Sequence, residues 1–365
     1  MSSKVVCFVG CYTHENGKNG IYCIEICPNS GKLEILNKFE AENVSYFAQS
    51  NPYLYAISEG APPLSRLWRF RIDHITPYQL NDPYHVGLFE DGACFLHVTS
   101  LSERVKRLAV AFYNSGAVQF FEDVEGVIQA GPKNKFTEFS NHDSTRQEMP
   151  HIHCVRPLLT NTGGASEYFV VDLGADRIYL VHVNNSNETL SITDSIQMSP
   201  GSGPRHVLQH PNHPLLFILN ELDNTLCVYK IEKDQKFVAV EKHSTLVKSN
   251  TDFIVDSDEI QGAAHLAVSD CGQFVLCSNR GRLNNVVVFH IQDPELGSLA
   301  LRSVAGSCGH FPRYFALHGK LIIVANQLSR NVVAFKFEDG YIKEKLSEIS
   351  LIENPVALHV YIPGE

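Results

Sequence analysis

Residues 215–230 read LLFILNELDNTLCVYK, which is an apolar run, a polar turn and a second apolar run. Short runs rich in Val, Ile, Leu, Phe and Tyr, bounded by turn residues, are typical of β-strands joined in a hairpin. The same pattern recurs at YLYAISEGAPPLSRLWRFRI (53–72), RLAVAFYNSGAVQFF (107–121), YFVVDLGADRIYLVHV (168–183), FVLCSNRGRLNNVVVFHI (274–291) and LIIVANQLSRNVVAFKF (321–337). Long helical periodicity is missing, so the sequence predicts an all-β protein.

A further predicted strand precedes most of these hairpins. It reads PHIHCV (150–155), PRHVLQH (204–210), AAHLAVSD (263–270) and PRYFALHG (312–319), with FLHVTS (95–100) as a weaker version. Three or four strands therefore repeat about every 50 residues, and such a period indicates a β-propeller.

The two ends of the chain supply one more repeat beyond the six internal ones. Its strands are KVVCFVGCYT (4–13), GIYCIEI (20–26) and NPVALHVY (354–361). A blade shared between the chain ends leaves no exposed sheet edge. We therefore predict a single seven-bladed β-propeller domain over residues 1–365. A stack of β-sandwiches is the alternative. It explains the sequence less well, because sandwich strands need not repeat the same turn chemistry.

Composition narrows the class of protein. The formal net charge of -10 argues against a nucleic-acid partner or an anionic membrane surface. No apolar run approaches the ~18 residues of a membrane-spanning helix, and MSSKVVCFVG becomes polar too quickly for a signal peptide. Most of the ten cysteines lie in apolar runs such as LCVYKI, as small buried residues do in a reducing compartment. We expect a cytoplasmic protein.

Histidines and arginines cluster where the predicted first strands begin. In a propeller these strands line the central channel, and proline suits a strand start because it lacks an N–H donor. Aligning the prolines places His151, Arg205 and Arg313 at one position. The hairpin turns add Glu221 and Arg280, which are not favoured turn residues. We expect one mouth of the channel to gather His151, His153, Arg205, His206, Glu221, His265, Arg280 and Arg313.

This group of side chains suits an anionic substrate. Guanidinium groups bind phosphate or carboxylate in a bidentate way, and a carboxylate or imidazole among them can activate water. The structural alternatives are turn capping for the Asp and Asn residues at the hairpins and a packing role for any single histidine. The spacing of His151 and His153 would place both rings on one strand face, where they could also bind a metal. No further cluster of Cys, His or Asp has metal-like spacing. We therefore predict no metal and no cofactor. No GxSxG elbow signals a nucleophilic serine, and Cys154 reads as strand core.

The chain resembles the seven-bladed lactonase family in RQEMPHIHCV, DLGADRIYLV, GSGPRHVLQHPNHPLLFILNEL, SNRG and HFPRYF…LIIVANQ. That family includes the propeller-type 6-phosphogluconolactonases and a fungal carboxymuconate-lactonizing enzyme. VGCYT and GIYCIEI resemble its first blade, NPYLYAISEG the next, and ENPVALHV its closing strand. The likeness covers nearly the whole chain, and the ordered run of motifs is specific.

The resemblance implies hydrolysis of a small anionic lactone, most simply 6-phosphogluconolactone in the pentose phosphate pathway, without a metal. By position, His153, Arg205, Glu221 and Arg280 match the residues proposed for catalysis in the muconate member. Substrate-binding residues fall in the shared motifs and in the histidine set; they are Arg146, His151, His206, His265 and Arg313.

Three stretches depart from the family pattern near the expected channel mouth, where they bear on substrate identity more than on the fold. AFYNSG (111–116) stands where the family usually has Ala-Asn-Tyr-Gly-Ser-Gly, NHDST (141–145) replaces a Gly-Ser stretch, and TDFIVDSDE (251–259) is an acidic insert. Two other functions stay open. One is a lactonizing cycloisomerase of the carboxymuconate type, and the other is a propeller without enzymatic activity that serves as an interaction scaffold.

Overall fold

The computed structural model describes residues 5–14, 17–73, 79–159, 166–184, 189–233, 235–249, 253–254 and 261–361. Regular structure in these residues is β-strand throughout, which confirms the all-β prediction. No helix in the described part of the chain has the length and apolar character needed to cross a membrane. The acidic insert 251–259 lies outside the described residues, apart from the strand Phe253–Ile254.

The strands in chain order are β1 (Val5–Tyr12), β2 (Ile21–Ile26), β3 (Leu33–Phe39), β4 (Val44–Ser50), β5 (Tyr53–Ser58), β6 (Arg66–Ile72), β7 (Leu80–Gly87), β8 (Ala93–Ser100), β9 (Val105–Phe112), β10 (Ala117–Val124), β11 (Val127–Lys135), β12 (Ile152–Pro157), β13 (Glu167–Asp172), β14 (Arg177–Asn184), β15 (Thr189–Gln197), β16 (Pro204–Gln209), β17 (Leu215–Asn220), β18 (Thr225–Ile231), β19 (Phe237–Ser244), β20 (Phe253–Ile254), β21 (Gly262–Val268), β22 (Phe274–Arg280), β23 (Leu283–Asp293), β24 (Ser298–Gly306), β25 (Pro312–His318), β26 (Leu321–Asn326), β27 (Asn331–Glu338), β28 (Tyr341–Ser350) and β29 (Asn354–Val360).

These strands form seven sheets. Five follow the chain in order, namely β4-β5-β6-β7, β8-β9-β10-β11, β12-β13-β14-β15, β16-β17-β18-β19 and β25-β26-β27-β28. A sixth joins β21, β22, β23 and β24, and the short β20 also pairs with β23. The last has the order β29-β1-β2-β3. Strands from both ends of the chain therefore share one sheet, as the sequence predicts.

The chain divides into two compact units by its internal contacts. Unit 1 comprises residues 1–44, 74–79 and 210–362, and unit 2 comprises residues 45–73, 80–209 and 363–365. The prediction of a single domain over residues 1–365 stays a prediction.

The middle strands of the sheets are buried on both faces. In unit 1, Ile323 and Ala325 of β26 belong to a core cluster shared with β1, β2 and β29. The alternate residues Ile322 and Val324 belong to a second cluster, shared with β22 and β23. Because successive side chains of a strand point to opposite faces, burial on both sides explains why LIIVAN is a continuous apolar run. The outer strands differ, since β28 is largely exposed.

Leu358→Ala tests how much the unit 1 core depends on β29. Leu358 is only 3% exposed and packs in the cluster that joins β29 to β26 and β27. We expect the free energy of unfolding to fall by about 2–5 kcal/mol, as for other buried Leu→Ala changes. Chemical denaturation would measure it. The control Ile352→Ala, at a residue 63% exposed, should cost no more than about 0.5 kcal/mol. Equal, small losses in both variants would contradict a packed role for β29.

Candidate active site

A β-bulge lies near the start of several first strands. In β12, Ile152 pairs with Asp172 and Cys154 with Val171, so His153 is the extra residue between them. In β25, Pro312 pairs with Asn326 and Tyr314 with Ala325, so Arg313 is the extra residue. A bulge re-aims the side chain of the residue it contains.

This register corrects the alignment made from the prolines. His153, and not His151, is the counterpart of Arg313, because β12 begins two residues after Pro150 whereas β25 begins at Pro312 itself. His151 therefore precedes its strand, and only His153 lies in the bulge.

In five sheets a buried polar residue lies at the end of the second strand or one residue before its end. These residues are Ser58, Asp172, Asn220, Asn279 and Asn326. Two of them bond within their own hairpin, as turn capping requires: Asp172 Oδ1 accepts from the Ala175 N–H at 3.1 Å, and Asn220 Nδ2 donates to Thr225 Oγ1 at 2.9 Å. Asn279 and Asn326 also bind other segments, since their Nδ2 atoms donate to the Thr245 carbonyl at 2.7 Å and the Ser307 carbonyl at 3.0 Å.

Unit 1 holds a buried ion pair directly after these positions. Arg280 Nη2 lies 2.9 Å from Glu221 Oε1, with side chains 7% and 3% exposed. The guanidinium also stacks over Phe311 at 4.9 Å from the ring centroid. Gly262 borders the carboxylate, and a Cβ at that position would lie 3.3 Å from Glu221 Cγ. The Glu221 carboxylate is thus removed from water and held by a charge-assisted hydrogen bond from Arg280.

Two more predicted residues of unit 1 lie against aromatic rings. His265 stacks on Tyr314 with ring centroids 3.7 Å apart, and its backbone N–H donates to Ser278 Oγ at 3.0 Å. The Arg313 guanidinium lies 5.3 Å from the centre of the Tyr12 ring. Aromatic faces fix the orientation of both side chains.

Unit 2 brings together three of the predicted histidines. The His153 and His206 rings are 5.7 Å apart in an edge-to-face arrangement. Tyr113 links His153 to His151, because its ring stacks on His151 at 4.2 Å and meets His153 edge-on at 5.5 Å. Arg146 joins the same group, since its Nε and Nη2 donate to the Tyr113 hydroxyl at 3.4 and 3.3 Å.

Arg205, the remaining predicted residue, is 4% exposed and lies in β16. The positive charges of Arg205 and Arg156 lower the pKa of the nearby Cys154 thiol. Burial has the larger effect and raises that pKa to about 11. Cys154 is therefore a neutral thiol at physiological pH, which fits its predicted role in the strand core.

The predicted residues are divided between the two units. Unit 1 contains Glu221, His265, Arg280 and Arg313, and unit 2 contains Arg146, His151, His153, Arg205 and His206. That all nine line a single cleft stays a prediction. Within the described ranges, no three His, Cys, Asp or Glu side chains are placed to hold a metal ion together.

Sequence reasoning missed Tyr113 and the contact between Asp172 and His151, although it allowed turn capping by Asp172. Tyr113 lies in AFYNSG, which was read only as a departure from the family pattern. Asp172 Oδ1 accepts hydrogen bonds from the backbone N–H groups of His151 at 2.8 Å and Ala175 at 3.1 Å. It therefore fixes the backbone at His151. Burial raises the pKa of Asp172 to about 7 despite these hydrogen bonds.

Comparison with known proteins gives one family match. A profile described as "Lactonase, 7-bladed beta-propeller" matches residues 6–359. This match confirms the predicted fold class.

Relatives and solved structures cover nearly the whole chain. A 6-phosphogluconolactonase of Formosa agariphila is 27% identical over 97% of this chain and 99% of its own. A 6-phosphogluconolactonase of Bacillus subtilis is 27% identical over 92% of this chain and 91% of its own. The structure of a periplasmic gluconolactonase of Pseudomonas aeruginosa covers 99% of each chain, with a TM-score of 0.86 and 23% identity. That last likeness concerns the fold alone.

Asp172→Asn should change how stability depends on pH. Between the ordinary pKa of an unfolded Asp, about 3.9, and the folded value of about 7, the folded state binds a proton that the unfolded state lacks. The contribution of Asp172 to stability is therefore full below about pH 4 and is lost as the pH rises through 7. Asparagine keeps the acceptor oxygen without the charge.

We expect Asp172→Asn to raise the Tm at pH 8 by a few degrees, as about 1–2 kcal/mol does in a chain of this size, and to change it little at pH 4. Thermal unfolding at both pH values measures this. Asp194→Asn, at an exposed position of β15, is the control. The same shift of Tm at both pH values would show that Asp172 does not titrate as its burial requires.

Proposed function

Since the chain belongs to the seven-bladed β-propeller lactonase family and is a lactone hydrolase, we propose that its substrate is 6-phosphogluconolactone. It hydrolyses this lactone to 6-phosphogluconate without a metal ion, in the cytoplasm, as a step of the pentose phosphate pathway. Two relatives that carry the name 6-phosphogluconolactonase support the choice of substrate, because each matches this chain over more than nine tenths of its length.

The observation that carries the proposal is the buried pair of Glu221 and Arg280. The free-energy cost of removing two charges from water can exceed the gain from their attraction. Stabilisation of the fold alone therefore explains such a buried pair poorly. Lactone hydrolysis gives it a use. Water adds to the carbonyl carbon, negative charge develops on the carbonyl oxygen, the ring C–O bond breaks, and the ring oxygen takes up a proton.

We assign the residues to these steps by their chemistry. Either Glu221 or His153 takes the proton from the attacking water, and the other protonates the ring oxygen as it leaves. Arg205 and Arg280, with Arg313, hold the phosphate and stabilise the developing oxyanion. Arg146, His151, His206 and His265 are the further substrate-binding residues.

Arg205→Ala and Arg280→Ala test the role of the arginines. Removing one donor that stabilises an oxyanion costs about 100- to 1,000-fold in kcat, and we expect a loss of that size for each variant. Hydrolysis of freshly generated 6-phosphogluconolactone, with EDTA present and the spontaneous rate subtracted, measures it. Arg282→Ala removes an exposed arginine two residues from Arg280 and should retain wild-type rates.

Three outcomes would overturn parts of this proposal. Loss of wild-type activity in EDTA would contradict the metal-free mechanism. Wild-type hydrolysis no faster than the spontaneous rate would reject this substrate, and conversion of a carboxymuconate lactone would then favour the cycloisomerase. Turnover of neither lactone would favour the scaffold.

Glu221→Gln separates a chemical role from a structural one. The amide keeps an acceptor oxygen for Arg280 but cannot take a proton. We expect kcat to fall about 100- to 10,000-fold, the range for loss of a general acid or base, with KM nearly unchanged. Steady-state kinetics and a Tm measurement on the same sample test this. Unchanged kcat in a folded variant would restrict Glu221 to holding Arg280.

A further inference from the structure

We propose that Tyr113 is a positioning residue that determines specificity, holding Arg146 in place for the phosphate group of the substrate. The inference rests on the proposed function and adds a residue to it. Tyr113 selects phosphorylated over unphosphorylated lactones because it acts on the arginine and not on the reacting carbonyl.

The first observation is the contact between the two side chains. Both Nε and Nη2 of Arg146 donate to the Tyr113 hydroxyl, at 3.4 and 3.3 Å. Two donors from one edge of the planar guanidinium fix its orientation as well as its position. A guanidinium held in this way recognises phosphate with little loss of side-chain entropy on binding.

The second observation is that the backbone of Arg146 is held as firmly as its side chain. Asp143 Oδ1 accepts hydrogen bonds from the N–H groups of Thr145 at 2.8 Å and Arg146 at 3.2 Å. The neighbouring Gln147 is fully buried, and its Nε2 donates to the Leu173 carbonyl and to Asp176 Oδ1, each at 2.8 Å. The stretch NHDST departs from the family pattern, yet the segment that follows it is anchored.

The third observation places Tyr113 among the predicted site residues. Its ring contacts both His151 and His153, and its carbonyl oxygen lies 3.0 Å from His151 Nδ1. The turn packs closely against the start of the histidine segment, because a Cβ on Gly116 would lie 2.7 Å from the Pro150 carbonyl oxygen. Gly116 also has a positive φ of 59°, which favours glycine.

A second arginine of unit 2 shows what a packing contact with tyrosine looks like. Arg69 lies over the ring faces of Tyr53 and Tyr84, at 4.6 and 5.2 Å from their centroids. It also lies 3.8 Å from the buried carboxylate of Asp123. There the tyrosine rings cover the guanidinium, whereas at Arg146 the hydroxyl binds its polar edge.

Tyr113→Phe tests the proposal, because it keeps the ring against the histidines and removes only the hydroxyl. We expect KM for 6-phosphogluconolactone to rise about tenfold, the loss typical of one hydrogen bond to a charged group, with kcat within about twofold. Hydrolysis of unphosphorylated gluconolactone should be unchanged. Tyr113→Leu, which also removes the ring, should lower kcat for both lactones. Tyr84→Phe is the matched control and should change neither.

The double variant distinguishes positioning from a general structural effect. If Tyr113 acts through Arg146, then Arg146→Ala should raise KM for the phosphorylated lactone at least as much. Adding Tyr113→Phe to it should have no further effect. Equal losses for both lactones in Tyr113→Phe, no loss for either, or additive effects in the double variant would overturn the proposal.

Binding of 6-phosphogluconate, measured by calorimetry, separates this inference from the proposed function. Wild-type protein that binds it but turns over no lactone would reject the proposed function alone. A tenfold weaker Kd in Tyr113→Phe would then still support the role of Tyr113. Wild-type protein that neither binds nor hydrolyses these compounds would reject both.

Discussion

Burial of the middle strands on both faces is the constraint on which the rest of the structure depends. Strand β26 packs against a neighbouring sheet on either side, so every one of its residues except the last, Asn326, is apolar. Polar chemistry is then confined to the strand ends and the turns. The candidate residues follow this rule, since Glu221 comes directly after β17 and Arg280 ends β22.

The same constraint explains what could be predicted from the sequence. Continuous apolar runs and repeated turns were enough to identify the first three strands of most sheets and the strand contributed by each chain end. The fourth strands, such as β15 with its pattern TLSITDSIQ, are mostly exposed and carry little apolar signal. His151 was aligned with Arg313 in place of His153 because Pro150 precedes β12 by two residues, whereas Pro312 begins β25. Tyr113 was missed since a turn tyrosine has no periodic signature.

Aromatic side chains organise the charge in both units. Arg280 lies over Phe311 and Arg313 over Tyr12 in unit 1, while Arg146 is bound to Tyr113 in unit 2. Each planar guanidinium is thereby restricted before any ligand arrives. A chain whose formal charge is -10 can in this way present ordered cationic groups to an anion. Aromatic residues at turns are therefore as informative about function here as the charged residues.

The sheet built from both chain ends has a consequence for how the protein is made. In β1, Cys7 pairs with Val360, so this edge cannot be completed until almost the whole chain has left the ribosome. During synthesis the apolar strand VVCFVGCY has only one permanent neighbour, β2. Unpaired apolar edges invite pairing with other chains, and closing so distant a contact is slow. Until β29 is added, this edge of a nascent chain is therefore open to wrong pairing.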